Sequence, residues 1–174
     1  MAGQSTIDLE KVPGWPDLIT DPVESTALFG TFVTDAIERL RLVEEMEHLV
    51  EGTVNRMEEG MSAALDFTDE SLEELDEIIG AGFSSMALDE NTSMVDVVDD
   101  LVMDLGAYLG LLIVENLGGE WRFRSELWHA SIFFPRVGAE CYPFHRVARR
   151  LVVGIEDSLA QFYTGLIDVL EVGH

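Results

Sequence analysis

Apolar side chains recur every three or four positions through the first two thirds of the chain, then every second position over a short later stretch. That change of period sets the expected architecture. Leu40, Val43, Met46, Val50, Val54, Met57 and Met61 form the stripe of an amphipathic helix over residues 35–62. Asp21-Pro22 suits a helix start, with Asp as the cap and Pro in the first helical position. Gly30 and Thr34 leave open whether residues 22–33 join the longer helix. Thr68-Asp69-Glu70-Ser71 opens another helix, which Gly80 and Gly82 are expected to stop.

Ser93 and Asp96 have capping-box spacing, and Leu101, Leu105, Tyr108, Leu109, Leu112 and Ile113 continue as a helical stripe to Gly118-Gly119. Within it Gly106 and Gly110 stand four apart, leaving a flat face where a neighbouring backbone can approach. Each glycine costs about 1 kcal/mol of helix propensity, so close packing must offset it. Alternation then takes over in Trp121-Arg122-Phe123-Arg124-Ser125, followed by Trp128 to Phe134 and Ala139 to Tyr142. Pro143-Phe144 opens a helix with Val147, Leu151 and Val152, and a last one spans about Glu156 to Leu170. The expected fold class is α+β, mostly helical, with a small three-stranded antiparallel sheet near residues 121–142. Pro13-Gly14-Trp15-Pro16 makes residues 1–20 an extended arm, and residues 21–174 are expected to form a single domain.

The central stretch resembles small uncharacterised bacterial domains of unknown function. Leu105-Gly106-Ala107-Tyr108-Leu109-Gly110 and Leu117-Gly118-Gly119-Glu120-Trp121 carry the first part of the likeness. Phe134-Pro135, Pro143-Phe144, Val147, Arg149-Arg150 and Gly154 carry the second, over roughly residues 95–165. The resemblance implies a helix, two strands and a basic helix, and no particular activity.

Composition narrows the function classes. A hydrophobic share of 47% in 174 residues supports a packed core, and a formal charge of −24 opposes binding to nucleic acid or to anionic membranes. With one cysteine, Cys141, neither an intramolecular disulfide nor a multi-cysteine metal site is available. The first residues lack the basic and apolar regions of a secretory signal, and the longest apolar run is too short for a bilayer. A soluble cytoplasmic protein is expected. Lys11 stands alone against nine arginines, as a GC-rich genome or a high-salt habitat would each produce.

Charge is also unevenly placed. Residues 1–121 hold 28 of the 34 acids and only 4 of the 10 bases, whereas Arg122, Arg124, Arg136, Arg146, Arg149 and Arg150 cluster afterwards. Arg146, Arg149 and Arg150 share a helix face, and Arg122 and Arg124 share a strand face. Those five are the candidate anion- or partner-binding residues. The competing reading has them paired internally with the acids of residues 1–121.

Metal and nucleophile chemistry have weaker footing. Glu45-x-x-His48 and Glu126-x-x-His129 have di-iron spacing, but a strand at 126–129 would send its two side chains to opposite faces. Glu44, Glu47, Asp96 and Asp100, with Asp99 and Asp104 nearby, resemble the carboxylate sets with which all-helical nucleotide pyrophosphatases hold Mg²⁺. Nothing basic lies between Arg56 and Arg122 to hold the phosphates. Cys141 and His145 are close in sequence, which does not make a dyad, and Gly-x-Ser-x-Gly and phosphate-loop motifs are absent. Trp121, Phe123, Trp128, Phe133 and Phe134 read as core. No cofactor is expected. The leading expectation is a non-catalytic, immunity- or inhibitor-like interaction protein whose acidic face binds a basic protein. A carboxylate-metal hydrolase and an arginine-based anion sensor are the alternatives, and the oligomeric state stays open.

Overall fold

Helices carry most of the chain and a small antiparallel sheet closes one end of it. The computed structural model describes residues 18–19, 22–61, 65–85, 94–153 and 158–172. In chain order these form β1 (Leu18–Ile19), α1 (Pro22–Phe29), α2 (Ala36–Met61), α3 (Asp69–Ser85) and α4 (Met94–Leu117). There follow β2 (Glu120–Arg122), a 3₁₀ turn (Leu127–His129), β3 (Ser131–Phe134), β4 (Ala139–Cys141), α5 (Pro143–Val153) and α6 (Leu159–Val172). The α+β class and the three-stranded meander match the sequence expectation. β1 adds two residues to its edge, giving the order β1-β4-β3-β2 with every pairing antiparallel. Of the expected N-terminal arm, only Leu18 and Ile19 lie within the described residues, as does neither Ser93 nor its capping contact.

α4 is the centre of the core. Val102, Leu105, Ala107, Tyr108, Leu109, Leu112 and Ile113 are all buried, and α2 and α5 pack against it while α3 packs on α6. Its two glycines explain how α5 and β2 come so close. A Cβ on Gly106 would stand 2.9 Å from the Cα of Phe144, and one on Gly110 would stand 2.6 Å from Cζ2 of Trp121. Gly119, at φ +103°, turns the chain into β2 where a side chain would strike Ile132.

Two expectations change. Gly80 and Gly82 do not stop α3, which continues to Ser85. Leu72, Leu75 and Ile79 are buried along it, and such packing outweighs a propensity cost of about 1 kcal/mol per glycine. On α2 the buried line is Leu42, Met46, Val50 and Thr53, and Leu40, expected in the stripe, is 62% exposed. Trp121, Phe123, Trp128 and Phe134 are buried as expected, and Phe133 is half-buried.

Strand alternation gives the sheet two unlike faces. Trp121, Ile132, Phe134 and Cys141 point to the helical core. Glu120, Arg122, Ser131, Phe133 and Glu140 belong to the other face, where α1 and the segment 30–35 lie across Ser131 and Glu140. A polar strand face covered in this way must satisfy its charges internally.

Candidate functional site

The five candidate arginines do not gather round one anion. Arg124, with a side chain 0% exposed, reaches Glu140 Oε1 at 3.4 Å and donates to Ser25 Oγ at 3.1 Å from the same nitrogen. Its other nitrogens donate to the carbonyls of Gly30 at 3.0 Å and His129 at 3.2 Å. Arg122 stacks on Phe133, its guanidinium carbon 3.7 Å from the ring centre, and Phe32 lies between Arg122 and Arg124 at 5.2 and 4.1 Å. The strand period therefore does bring these two together, but across an aromatic ring. Arg146 lies over Phe162 of α6 at 4.8 Å, and Arg149 is half-buried one turn along α5.

Arg150 belongs to a different centre. Its Nε donates to Asp76 Oδ1 at 3.0 Å and its Nη2 to the Asp76 carbonyl at 2.9 Å. The same carboxylate accepts from Ser158 Oγ at 2.7 Å and from the amides of Leu159 and Ala160, both at 3.0 Å. Asp76 of α3 thus caps α6 from outside that helix while neutralising α5's arginine. Internal pairing with an acid of residues 1–121 holds for Arg150, while Arg124 finds its acid inside its own segment.

Beside Arg124 lies a cluster that sequence reasoning missed. Glu140 accepts from Ser131 Oγ at 2.8 Å and Tyr142 Oη at 2.9 Å. Burial alone would raise its carboxyl, but the hydrogen bonds of Ser25, Ser131 and Tyr142 and the charge of Arg124 outweigh that and hold it below the ordinary carboxylate value. Burial and the Glu140 carboxylate push the Tyr142 hydroxyl far up, so it stays protonated and donates. His129 Nδ1 and His145 Nε2 are 3.0 Å apart. Phe29, Tyr142 and Trp128 surround His145 at ring separations of 4.8 to 5.0 Å. Burial first, then His129 and Arg124, keeps His145 neutral well below the ordinary imidazole value, and burial lowers His129 as well.

His129 also overturns the strand expectation. Residues 127–129 form a 3₁₀ turn, in which positions three apart eclipse, so Glu126 Oε2 approaches His129 Nε2 to 3.5 Å. The two groups share a face after all. Even so, among the described residues no group of three or more His, Cys, Asp or Glu is placed to hold a metal ion. Glu44 and Glu47 are exposed on α2 and Asp100 is exposed on α4. Asp96 lies in the first turns of α4, with its side chain outside the described part. Asp104 is committed to Arg56 at 2.8 Å. Cys141 is buried in the core, and His145 is bonded to His129 instead.

The described outer faces of α2 and α3 are largely acidic, with an apolar patch where α2 begins. Glu44, Glu45, Glu47, Glu51, Glu58 and Glu59 are exposed along α2, and Asp69, Glu70, Glu73 and Glu77 along α3. Arg41 is bonded to Glu38 at 2.6 Å and Glu45 at 3.3 Å. Where α2 begins, Ile37 is 82% exposed, and Ala36, Arg39, Leu40 and Val43 face Glu120, Trp121 and Phe123 across a groove of about 310 Å³. Leu40 and Val43 carried the signal, but a stripe wider than the buried line cannot say which member faces out. No helix among the described residues is long and apolar enough to cross a membrane. Comparison of the chain with protein-family models, with curated proteins and with solved structures returns no match.

Proposed function

We propose that this protein is a non-catalytic interaction module of the cytoplasm, whose acidic outer surface on α2 and α3 binds a basic protein. The observation that carries the reading is the sorting of charge. Arg124, Arg146 and Arg150 are buried and Arg122 and Arg149 half-buried, whereas the acids of α2 and α3 named above are exposed. Glu44, Glu47, Glu51, Glu58 and Glu59 have no ion-pair partner among the described residues. Among the described residues, the acidic charge of α2 and α3 is therefore expressed at the surface, largely uncompensated.

Such a surface accelerates encounter with a cationic protein and rejects nucleic acid and anionic lipid by the same sign. The attraction acts over a Debye length of about 8 Å at physiological ionic strength, so salt must weaken it. An anion sensor has less support, because the arginines are engaged with Glu140, Asp76 and aromatic rings.

The test is reversal of charge on α2. Glu44→Lys/Glu47→Lys/Glu51→Lys leaves the buried line of the helix intact. It should slow association with the basic protein co-purified from the source organism by about tenfold or more at low salt, with little change in dissociation. If the triple variant binds at the wild-type rate, or if captured partners carry no excess of basic residues, the proposal fails.

A further inference from the structure

α1 is tied to the sheet at both ends and, among its described side chains, by one apolar ring between them. On one side β1 pairs with β4, and on the other Val33 N–H donates to the Phe123 carbonyl at 2.8 Å. Of the described side chains of α1 only Ser25 and Phe29 are buried, while Glu24, Ala27 and Leu28 are exposed. Phe29 forms a small apolar cluster with Tyr142, apart from the main core. A helix of eight residues is too short to persist in water alone, so α1 depends on those contacts.

What Phe29 packs on can change charge. Its ring lies 5.0 Å from His129, 4.9 Å from His145 and 4.8 Å from Tyr142. His129 Nδ1 and His145 Nε2 stand 3.0 Å apart, a spacing that holds only with one proton between the two nitrogens. A first added proton fits, because a charged His129 donates through Nδ1 to His145 and turns Nε2–H toward Glu126 Oε2 at 3.5 Å. A second does not fit. It puts an N–H on each of the facing nitrogens, so the rings must part whatever else His145 touches.

The surrounding charges do not relieve this. Among the described residues Arg124 adds positive charge beside both imidazoles, and Arg149 follows His145 by one turn on the same face of α5. Arg146 lies over Phe162, Glu126 faces His129, and Glu24 of α1 is exposed. Glu140 is taken up by Arg124, Ser131 and Tyr142. For the rings to part, His145, 3% exposed, must reach water. Of the rings round it, Trp128 belongs to the main core and Tyr142 is held by Glu140, whereas Phe29 rides on α1. Phe29 is the wall that can move.

We infer that α1 is an acid-released strap: a second proton taken up by the His129–His145 pair lifts Phe29 and α1 off the sheet and uncovers Tyr142 and the Arg124–Glu140 pair. Ser25 and the Gly30 carbonyl give up Arg124 in the process, and Glu140 keeps it neutralised. The device is independent of the acidic-surface reading.

Hydrogen exchange on the full chain, with rates divided by those of an unstructured chain, reads the release at pH 7.5 and 5.5. A freed His145 takes up its proton near pH 6.5, so opening should become about tenfold more favourable over that interval. The amides of Ala27, Leu28, Phe29 and Gly30 should lose protection by that factor, and low urea should not change them because little surface is exposed. Those of α4 from Leu105 to Ile113 should stay better protected and respond to urea. His145→Asn should abolish the acid response of α1. Phe29→Ala should leave the α1 amides open at both pH values with α4 still protected. Equal protection of α1 at the two pH values overturns the inference, since the pair then parts by an outward swing of His129 or takes up no second proton. Loss of protection in α1 and α4 together, with one urea dependence, makes α1 part of the global unfolding unit and overturns it as well. An acid response that survives His145→Asn, or a Phe29→Ala chain whose α1 is protected as in the wild type, does the same. If His145→Asn does not fold, the wild-type and Phe29→Ala comparisons decide.

Discussion

Mild acid should destabilise this protein through His129 and His145 before its carboxylates begin to titrate. An unfolded imidazole takes up a proton near its ordinary value of about 6.5. In the fold, burial holds His145 neutral well below that value, and His129 is lowered by burial despite Glu126 beside it. Below pH about 6.5 the unfolded chain therefore binds more protons than the native one, and stability must fall as pH falls until the folded values are reached. Each imidazole kept neutral contributes a slope of up to about 1.4 kcal/mol per pH unit. From pH about 6.5 to 5.5 the unfolded imidazole goes from half to about nine-tenths protonated, so the loss should lie between about 1 kcal/mol for His145 alone and about 2 kcal/mol for both.

One effect opposes this. Protonating some of the carboxylates behind the −24 charge relieves self-repulsion and favours the compact state. Ordinary carboxylates titrate near pH 4, however, and added salt of about 0.5 M screens what remains, so the imidazole slope should dominate in the chosen window. Glu140, held below the ordinary carboxylate value, contributes stability above pH about 4.5 that is lost only at lower pH. The assay is urea unfolding across pH 7.5 to 5.5 on the wild type and on His145→Asn, which keeps hydrogen-bonding capacity and cannot titrate. The variant should lose about half or more of the slope whatever its absolute stability. Equal slopes in the two proteins, or wild-type stability that rises with acid in this window, would refute the reasoning.

Three further perturbations check the packing. Asp76→Ala should cost about 3–5 kcal/mol in urea unfolding, because it strands buried Arg150 and uncaps α6; a cost under 1 kcal/mol would mean that Arg150 is not desolvated. Gly110→Ala gains about 1 kcal/mol of helix propensity but forces Trp121 and Pro143 aside, so a net loss of about 1–2 kcal/mol is expected, and a more stable variant would contradict the close approach of α4 and β2. Tyr108→Phe removes the hydroxyl that accepts from Phe67 N–H at 2.9 Å and bonds Ser71 Oγ at 2.8 Å. Because Phe67 sits at φ 62°, outside the conformation most side chains prefer, the variant should lose about 1–3 kcal/mol and expose that amide to hydrogen exchange.

The periodic parts of this fold were legible because burial of one face imposes them. α2 was expected at 35–62 and spans Ala36–Met61, and Pro143 starts α5 where its ring and missing N–H suit a first turn. The 3₁₀ turn was not legible: Leu127-Trp128-His129 alternates as a strand would, and three residues are too few to separate the periods. β1 has only two residues and pairs Leu18 with Cys141 and Ile19 with Glu140, far along the chain, so no local pattern could reveal it. At the site, the sequence marked the arginines but not their partners. Glu140 looks like any strand acid until α1 is known to cover that face, and Asp76 looks like a solvated helix position until α6 ends on it.

That difference between where arginines lie in sequence and where they lie in space bears on function. A run of six arginines within residues 122–150 suggests a basic patch, and a patch would attract anions. Burying a guanidinium is costly unless an acid or an aromatic face meets it, so the fold has drawn Glu140 and Asp76 inward with Arg124 and Arg150. The result opposes the sequence impression. Of the arginines in that segment only Arg136 is exposed, while Glu44, Glu45, Glu47, Glu51, Glu58 and Glu59 of α2 and Asp69, Glu70, Glu73 and Glu77 of α3 stay in water. The segment that appears most basic in sequence therefore adds little positive surface, and what a partner meets is more uniformly negative than the amino-acid order suggests.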